Sequence, residues 1–221
     1  MKIEYLGHSC FWFTDGSVTA LIDPYDSTVG YKPPHRPAKY TIVTHDHWDH
    51  GHVNAVPGTT TVLRGSGTHG GGPHGGDGFS VRGILACHDN VGGVKRGLVN
   101  LMCFALDGVR VCHLSDLGHL LEPDQIAEIG AVDVLLVPIG GGDYTIDAEG
   151  AAKVVAQLNP RAVIPMHYMT AMTNRKDFPI DGLEPFLKKF RHSEQVRRGE
   201  IEFTPKTLPL QTTVYCLTPT R

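Results

Sequence analysis

Nine residues constrain this chain more than any other stretch: Thr44-His45-Asp46-His47-Trp48-Asp49-His50-Gly51-His52, directly after the β-type run Tyr40 to Val43. At the end of a strand, residues two apart point the same way, so His45 and His47 share a direction. Asp49 and His50 follow as the chain turns, which can aim a carboxylate and a third imidazole at a neighbouring point. Imidazole with carboxylate and no thiolate suits zinc, iron or manganese and disfavours a structural, cysteine-rich zinc site. A solvated His-rich turn is the bland alternative. It is disfavoured because the tract is internal, follows a strand and interleaves two acids. The chain holds 13 histidines in 221 residues, more than packing needs, and four of them lie here.

One tract cannot complete a site, so further ligands must come from other strand ends. Three residues qualify: His88 after Gly83-Ile84-Leu85-Ala86-Cys87, Asp116 after the run Val109 to Ser115, and His167 after Val163-Ile164-Pro165-Met166. Each follows an apolar β-run, which would put it on the same rim as His45. Singly each is an ordinary polar loop residue. Together they form a pattern.

Composition bounds the rest. Residues 1–221 are read as one domain, since domains cluster near ~100–200 residues. The content of 41% hydrophobic and 19% charged residues is that of a globular protein able to bury its own core. The five cysteines (Cys10, Cys87, Cys103, Cys112 and Cys216) form no CxxC pair. Four lie in apolar runs, so they read as reduced, structural thiols of a cytoplasmic protein. The run Val132 to Ile139, broken by Asp133, is too short to cross a bilayer, and Met1-Lys2-Ile3-Glu4-Tyr5 opens no secretory leader, so no membrane partner is expected. A net charge of −3 argues against a broad nucleic-acid face. A homo-oligomer is compatible with the sequence but not readable from it.

The first third reads as short strands: Ile3 to Leu6, Cys10 to Thr14 and Val18 to Ile22, the last two joined by the Asp15-Gly16 turn. Residues 64–78, rich in Gly, His, Ser and Pro, are expected to form an exposed loop and, over a site, a lid bringing His69 or His74 near substrate. Strands resume at Phe79 to Ala86, Leu98 to Leu106 and Val109 to Leu114, with an Asp107-Gly108 turn between the last two. Helical spacing appears at Glu122 to Ile129. It returns after Asp147, with Ala151, Val154, Val155 and Leu158 inward, and after a proposed Asp181 cap, with Leu183, Phe186, Leu187 and Phe190. Val134 to Val137 and Ala162 to Ile164 are short strands between them. The pattern is α/β, two sheets flanked by helices.

With Gly7-His8-Ser9-Cys10-Phe11, Ile22-Asp23-Pro24, His45-x-His47-x-Asp49-His50, and then His88, Asp116 and His167 in order, nearly the whole chain resembles the metallo-β-lactamase superfamily. Pro138-Ile139-Gly140-Gly141 and Ile164-Pro165-Met166-His167-Tyr168 with Thr170 look like the small branch of metal-dependent hydrolases related to ascorbate-6-phosphate lactonases. The resemblance implies a four-layer αββα sandwich with two divalent ions on one edge, zinc first, with manganese or iron also compatible. His45, His47 and His88 would hold one ion and Asp49, His50 and His167 the other, with Asp116 bridging. Asp23 would steady the His45–His50 loop from behind. The chain departs from relatives at Ser115-Asp116-Leu117, where Gly-Asp-Thr or Gly-Asp-Ser is usual, and at Asp89-Asn90 after His88.

The chemistry implied is hydrolysis of a small ester, lactone, amide or phosphoester by a metal-activated hydroxide. Asp116 would set the metal spacing and Asp49 would orient the nucleophile. His8 is the favoured proton donor to the leaving group, ahead of His113, His119 and Tyr168. His52 is read as supporting or loop; His35 and His192 as surface; Lys95, Arg96 and Arg175 as anion-binding candidates more often simply solvated. The competing classes are a phosphodiesterase or nuclease, a di-iron oxidoreductase, and a metal-binding module without catalysis.

Overall fold

The computed structural model describes every residue except 60, 71–77, 175, 177, 178, 191, 192, 197 and 221, and of 193–196 the backbone alone. The chain opens with β1 (Lys2–Gly7), β2 (Cys10–Thr14), β3 (Thr19–Ile22), β4 (Tyr40–Val43) and β5 (Thr61–Arg64). Next come β6 (Gly67–Gly70), β7 (Ser80–Cys87), β8 (Leu98–Leu106) and β9 (Val109–His113). The last third alternates α1 (Pro123–Ile129), β10 (Val134–Pro138), α2 (Ala148–Leu158), β11 (Ala162–Met166) and α3 (Glu184–Leu187), then β12 (Ser193–Val196), β13 (Glu200–Glu202) and β14 (Thr213–Leu217).

These strands form two sheets. The first has the order β13-β1-β2-β3-β4-β5 and the second β12-β14-β11-β10-β9-β8-β7-β6. Period-two alternation decides how they stack. Ile3, Tyr5, Phe11, Phe13, Ala20, Ile22 and Ile42 point from the first sheet into a shared core, meeting Val81, Met102, Phe104, Val111, Leu136 and Ile164 from the second. The other face of the second sheet (Ile84, Leu101, Cys112, Leu135, Val163) is covered by α1, α2 and α3. The other face of the first sheet (Leu6, Trp12, Leu21) packs under Tyr25, Val29, Tyr31 and Val56, which come from loops and the two 3-10 turns Ser27–Val29 and Val53–Ala55. The expected four layers are present, with the layer over the first sheet irregular rather than α-helical among the described residues.

The capping signals account for two of the three helices. Asp147 accepts from Gly150 N at 2.8 Å to start α2, whose buried face is the expected one, and Asn159 ends it in the left-handed conformation. Gln125 Oε1 closes back on Glu122 N at 3.0 Å to start α1. The third expectation fails. α3 is one turn long and begins three residues after Asp181, whose backbone is engaged elsewhere: its N donates to Gly140 O and its O accepts from Met169 N. The apolar residues Leu183, Phe186, Leu187 and Phe190 still pack on the outer core.

Residues 67–70, within the stretch expected as a loop, form a strand, and residues 71–77 of that stretch lie outside the described residues. Gly67–Gly70 pairs with β7, register Gly67↔Gly83 to Gly70↔Ser80. Backbone pairing needs no apolar period, so composition alone cannot show it. His69 Nε2 turns to the carbonyls of Gly65 and Ser66, at 3.1 and 3.0 Å. His74, Arg175 and His192 lie outside the described residues.

Strand direction places the site. β1, β3 and β4 run one way in the first sheet; β7, β9, β10 and β11 run one way in the second. Their C-terminal ends therefore make one rim in each sheet. Among the described residues no helix is long and apolar enough to cross a membrane.

Candidate metal centre

Every residue expected to bind metal sits just past the C-terminal end of one of those strands. Among the described residues, six non-glycine residues have positive φ: His8 (53°), Asp23 (51°), Asp107, Ser115 (52°), Asn159 and His167 (50°). Asp107 is in a hairpin turn and Asn159 caps α2. The other four follow β1, β3, β9 and β11 and line the site. A left-handed residue turns the chain sharply at a strand end, so the next side chains face the rim instead of continuing the pleat.

The side chains converge on Asp116. Its Oδ2 lies 3.1 Å from His50 Nε2, 3.5 Å from His88 Nε2, 3.5 Å from His167 Nε2 and 3.9 Å from His45 Nε2. Donor atoms fall into three groups whose members lie within 4.8 Å of one another: His45, His47 and His88; His45, His50 and Asp116; and His8, Asp49, His50 and His167. All seven expected ligands are brought together. His8 joins them: its Nε2 is 3.1 Å from Asp49 Oδ2, and the residue is 1% exposed. Asp46, the other acid of the tract, faces out and pairs with Arg64 at 2.6 Å.

A hydrogen-bond relay behind the ligands fixes their tautomers. Asp23, fully buried, accepts from Thr44 N (2.9 Å), Thr44 Oγ1 (2.8 Å) and His50 Nδ1 (2.8 Å). Having donated its hydrogen to Asp23, Thr44 Oγ1 accepts from Ser115 Oγ (2.7 Å) and from His45 Nδ1 (2.9 Å). Both imidazoles thus carry a proton on Nδ1, which leaves Nε2 as the atom that would face an ion. Asn100 holds the same turn, donating N and Nδ2 to Thr44 O at 3.1 and 2.8 Å. Asp23 was expected in this role; Thr44, Ser115 and Asn100 were not. Thr44 and Ser115 carry only the signal of adjacency to candidate ligands and Asn100 carries none, since lone hydroxyls and amides are common everywhere.

Electrostatics follow from burial. Burial, reinforced by His50, holds His45 at about 3 against the pull of Asp116, and His167 is held at about 3 by burial first. Both are neutral at pH 7, the form that ligates. For His50 burial also pushes down, but Asp116, Asp49 and Asp23 together hold it well above the ordinary imidazole value. Burial pushes Asp116 up, yet His167 and His50 outweigh that and keep it well below the carboxylate range.

The donor set fits a cation. Asp116 is 2% exposed and its Oδ1 has no hydrogen-bond partner. An orphaned buried carboxylate oxygen is costly unless a positive charge satisfies it. His47 is half-buried and marks the open side. Beside His88 a cavity of about 130 Å³ is lined by Asn90, Lys95, Asp143 and Thr145. Through Asn90, Gly118, Gly142 and Thr145 it joins a wider one of about 580 Å³.

Other histidines are resolved by their partners. His113 donates Nε2 to Ser9 O (2.9 Å) and accepts Ser115 N at Nδ1 (3.0 Å), a satisfied buried histidine that braces the turn before Asp116. His119 is likewise satisfied, by Cys87 N and Leu120 O. Tyr168 packs in the outer core, where burial raises its hydroxyl further above neutrality. His35 and His52 are exposed. Asp89 ties down the 91–96 loop by accepting from the backbone N–H groups of Val91, Gly93, Lys95 and Arg96.

Comparison with known proteins agrees with this geometry. Residues 2–167 match the family described as the beta-lactamase superfamily domain. A "UPF0173 metal-dependent hydrolase" of Archaeoglobus fulgidus is 32% identical over 91% of this chain and 94% of its own length. One of Alkaliphilus metalliredigens is 29% identical over 91% and 95%. A Thermotoga maritima crystal structure, described as a candidate Zn-dependent hydrolase of the metallo-beta-lactamase superfamily, superposes with a TM-score of 0.78 at 32% identity, covering 98% of this chain and 99% of that one. The rim of histidines and aspartates therefore sits in a chain that belongs to the metal-dependent hydrolases of the metallo-β-lactamase superfamily.

Proposed function

We propose that the protein hydrolyses a small ester, lactone or phosphoester at a dinuclear metal centre. The observation that carries this reading is the position of Asp116, whose Oδ2 lies 3.1–3.9 Å from imidazoles drawn from both sheets. On this reading His45, His47 and His88 hold one ion, Asp49, His50 and His167 hold the other, and Asp116 lies between. Zinc suits this thiolate-free imidazole and carboxylate set, as do manganese and iron. When bound, two such ions supply an acidified water as nucleophile and an electrophile for the substrate's carbonyl or phosphoryl oxygen.

The chain's own residues do the rest. Asp23 and Thr44 keep His50 and His45 in the ligating tautomer. Asp49, aligned by His8, orients the attacking water, and His8 passes a proton to the leaving atom. Burial of His8, His50 and His167 keeps bulk water from that side. The neighbouring cavity of about 130 Å³ has mostly polar walls, which favours a small polar substrate. Its extension carries Asp147, Glu149 and Asp181 against Lys153, a balance unfavourable to a polyanion, so nucleic acid is the weaker substrate class.

Metal analysis with a panel of lactones, carboxyl esters, phosphodiesters and β-lactams tests the proposal. Two ions per chain are expected, with hydrolysis of at least one small substrate class abolished in Asp116→Ala. One ion per fully loaded chain refutes the dinuclear reading. Activity unchanged in Asp116→Ala refutes the mechanism.

A further inference from the structure

On the helix-covered face of the eight-stranded sheet, Arg82, Cys103 and Cys112 form one cross-strand row. Arg82 on β7 is directly opposite Cys103 on β8, and Cys103 is directly opposite Cys112 on β9. All five cysteines are free thiols. β8 and β9 are joined by a two-residue turn, Asp107-Gly108, closed by the pair Leu106↔Val109. In such a hairpin the closing pair is hydrogen-bonded and pair types then alternate, which makes Cys103↔Cys112 a non-hydrogen-bonded pair. Opposed residues at such sites have Cα atoms about 4.5 Å apart, inside the range of about 4.4–6.8 Å that a disulfide spans.

The two thiols differ in surroundings. Cys103 lines a cavity of about 430 Å³ together with Thr68, Arg82 and Arg110, whereas Cys112 is fully buried beneath the helices. The Arg110 guanidinium is engaged by Asp133 at 2.8 Å through both Nε and Nη2. Arg82 donates Nη2 to Ile129 O at 3.3 Å, and its Nε has no hydrogen-bond partner. The row thus sets a cation beside the more accessible sulfur, with a second thiol opposite it.

We propose that Cys103 and Cys112 form a redox-active dithiol, in which a small peroxide entering the cavity oxidises Cys103 and Cys112 resolves it. The Cys103 thiolate attacks one peroxide oxygen. The S–O bond forms, the O–O bond breaks, and the departing hydroxide takes a proton to become water. Cys112 then gives up its proton and attacks the Cys103 sulfenic acid; the S–S bond forms, the S–O bond breaks, and a second water leaves. Two thiols and one hydrogen peroxide become one disulfide and two waters. The neighbouring Cys112 thiol, with Arg82 helping against burial and Glu128, holds the Cys103 thiol below its ordinary value, as a nucleophilic sulfur requires. The same contact holds Cys112 well above it, so that thiol keeps its proton until the second step.

Arg110 lies between the two cysteines in sequence, so trypsin separates them into residues 97–110 and 111–153, with Cys87 in 83–95. After treating the metal-loaded protein with hydrogen peroxide, the disulfide appears as peptide 97–110 linked to 111–153, released by dithiothreitol. In Cys112→Ala, Cys103 stops at a sulfenic acid that dimedone traps, and Arg82→Gln slows iodoacetamide capture of Cys103 severalfold. If Cys112→Ala does not fold, the wild-type protein still decides, because Cys103 must react with iodoacetamide at least tenfold faster than the buried Cys10. The proposal is overturned if peroxide leaves both peptides unlinked, if Cys103 pairs with Cys87 instead, or if Cys103 reacts no faster than Cys10.

Discussion

Replacing Asp23 with asparagine tests whether the relay behind the ligands, rather than the ligands alone, sets metal affinity. The backbone tolerates the change, because asparagine accepts the positive φ of 51° as readily as aspartate. The side chain does not. Asp23 Oδ2 accepts two hydrogens, from Thr44 Oγ1 and His50 Nδ1, and Oδ1 accepts one, from Thr44 N. If the new amide nitrogen takes the Oδ2 position, His50 meets a donor and must move its proton to Nε2, which removes the ligating lone pair. If it takes the Oδ1 position, the buried Thr44 N–H is orphaned at a cost of about 1–3 kcal/mol. Either way the centre loses, and a loss of about 10–100-fold in metal affinity is expected, the usual effect of removing such a partner. Competition against a chromogenic chelator reads the affinity, and thermal unfolding in chelator reads the stability cost separately. Wild-type affinity in Asp23→Asn would refute the tautomer argument, whatever happened to stability.

Gly118→Ala should separate the two halves of the site: a Cβ there would come within 2.3 Å of Asp89 N and 2.5 Å of His88 C, forcing the Asp116–Gly118 turn away from His88. Lost second-ion binding with a lowered Tm is expected, and full loading contradicts it. Metal affinity should strengthen with pH through the neutral range, because the carboxylates around His50 keep it protonated in the metal-free protein and an ion must displace that proton. One linked proton gives about tenfold per pH unit, read as proton release by calorimetry in buffers of different ionisation enthalpy; a flat profile contradicts it. Metal-free protein should unfold at acid pH, because Asp23, Asp49 and Asp116 lie below their unfolded values of about 3.9. Their contribution is present above about pH 3.9 and is lost as pH falls through the lower folded values. His50 works oppositely: its contribution is complete below about pH 6.5 and is lost as pH rises through its raised folded value. A Tm in chelator that keeps rising below pH 4 refutes that sign.

Imidazoles and carboxylates of the candidate site were legible in the sequence, whereas most of the side chains that hold them in position, Asp23 excepted, were not. His45, His47, Asp49 and His50 could be read because imidazole and carboxylate in one short tract after a strand have few other uses. His88, Asp116 and His167 could be read because each ends an apolar run, and the parallel order of β7, β9 and β11 turns that into a common rim. Thr44, Ser115 and Asn100 carry one hydroxyl or amide each, and only the fold shows that all three meet the same turn. β6 and β13 were missed for a related reason: edge pairing through backbone groups leaves no apolar period to detect. The single-turn α3 kept its apolar face but not its length: it starts from Leu183 with no side-chain cap, while the backbone of Asp181 bridges Gly140 and Met169.

The placement of backbone strain connects the fold to its chemistry. Left-handed conformations at non-glycine residues cost about 1–3 kcal/mol each, and four of the six among the described residues fall at His8, Asp23, Ser115 and His167. Each is held by a specific backbone contact: His167 N donates to His8 O at 3.0 Å, Asp23 N to Ile42 O at 2.9 Å, and Ser115 N to His113 Nδ1 at 3.0 Å. Tyr5 Oη adds a bond to His8 O at 2.9 Å. The shared core under β1, β3, β9 and β11 makes these turns affordable, since Tyr5, Ile22, Val111 and Ile164 are buried one to four residues before them. A rigid apolar sandwich thus carries strained strand ends that point carboxylates and imidazoles at one another. Like charges and bare lone pairs would drive such a cluster apart in water. Here the buried core under each turn holds the strand ends together, and bound positive charge would relieve the arrangement, as a metal-dependent hydrolase requires.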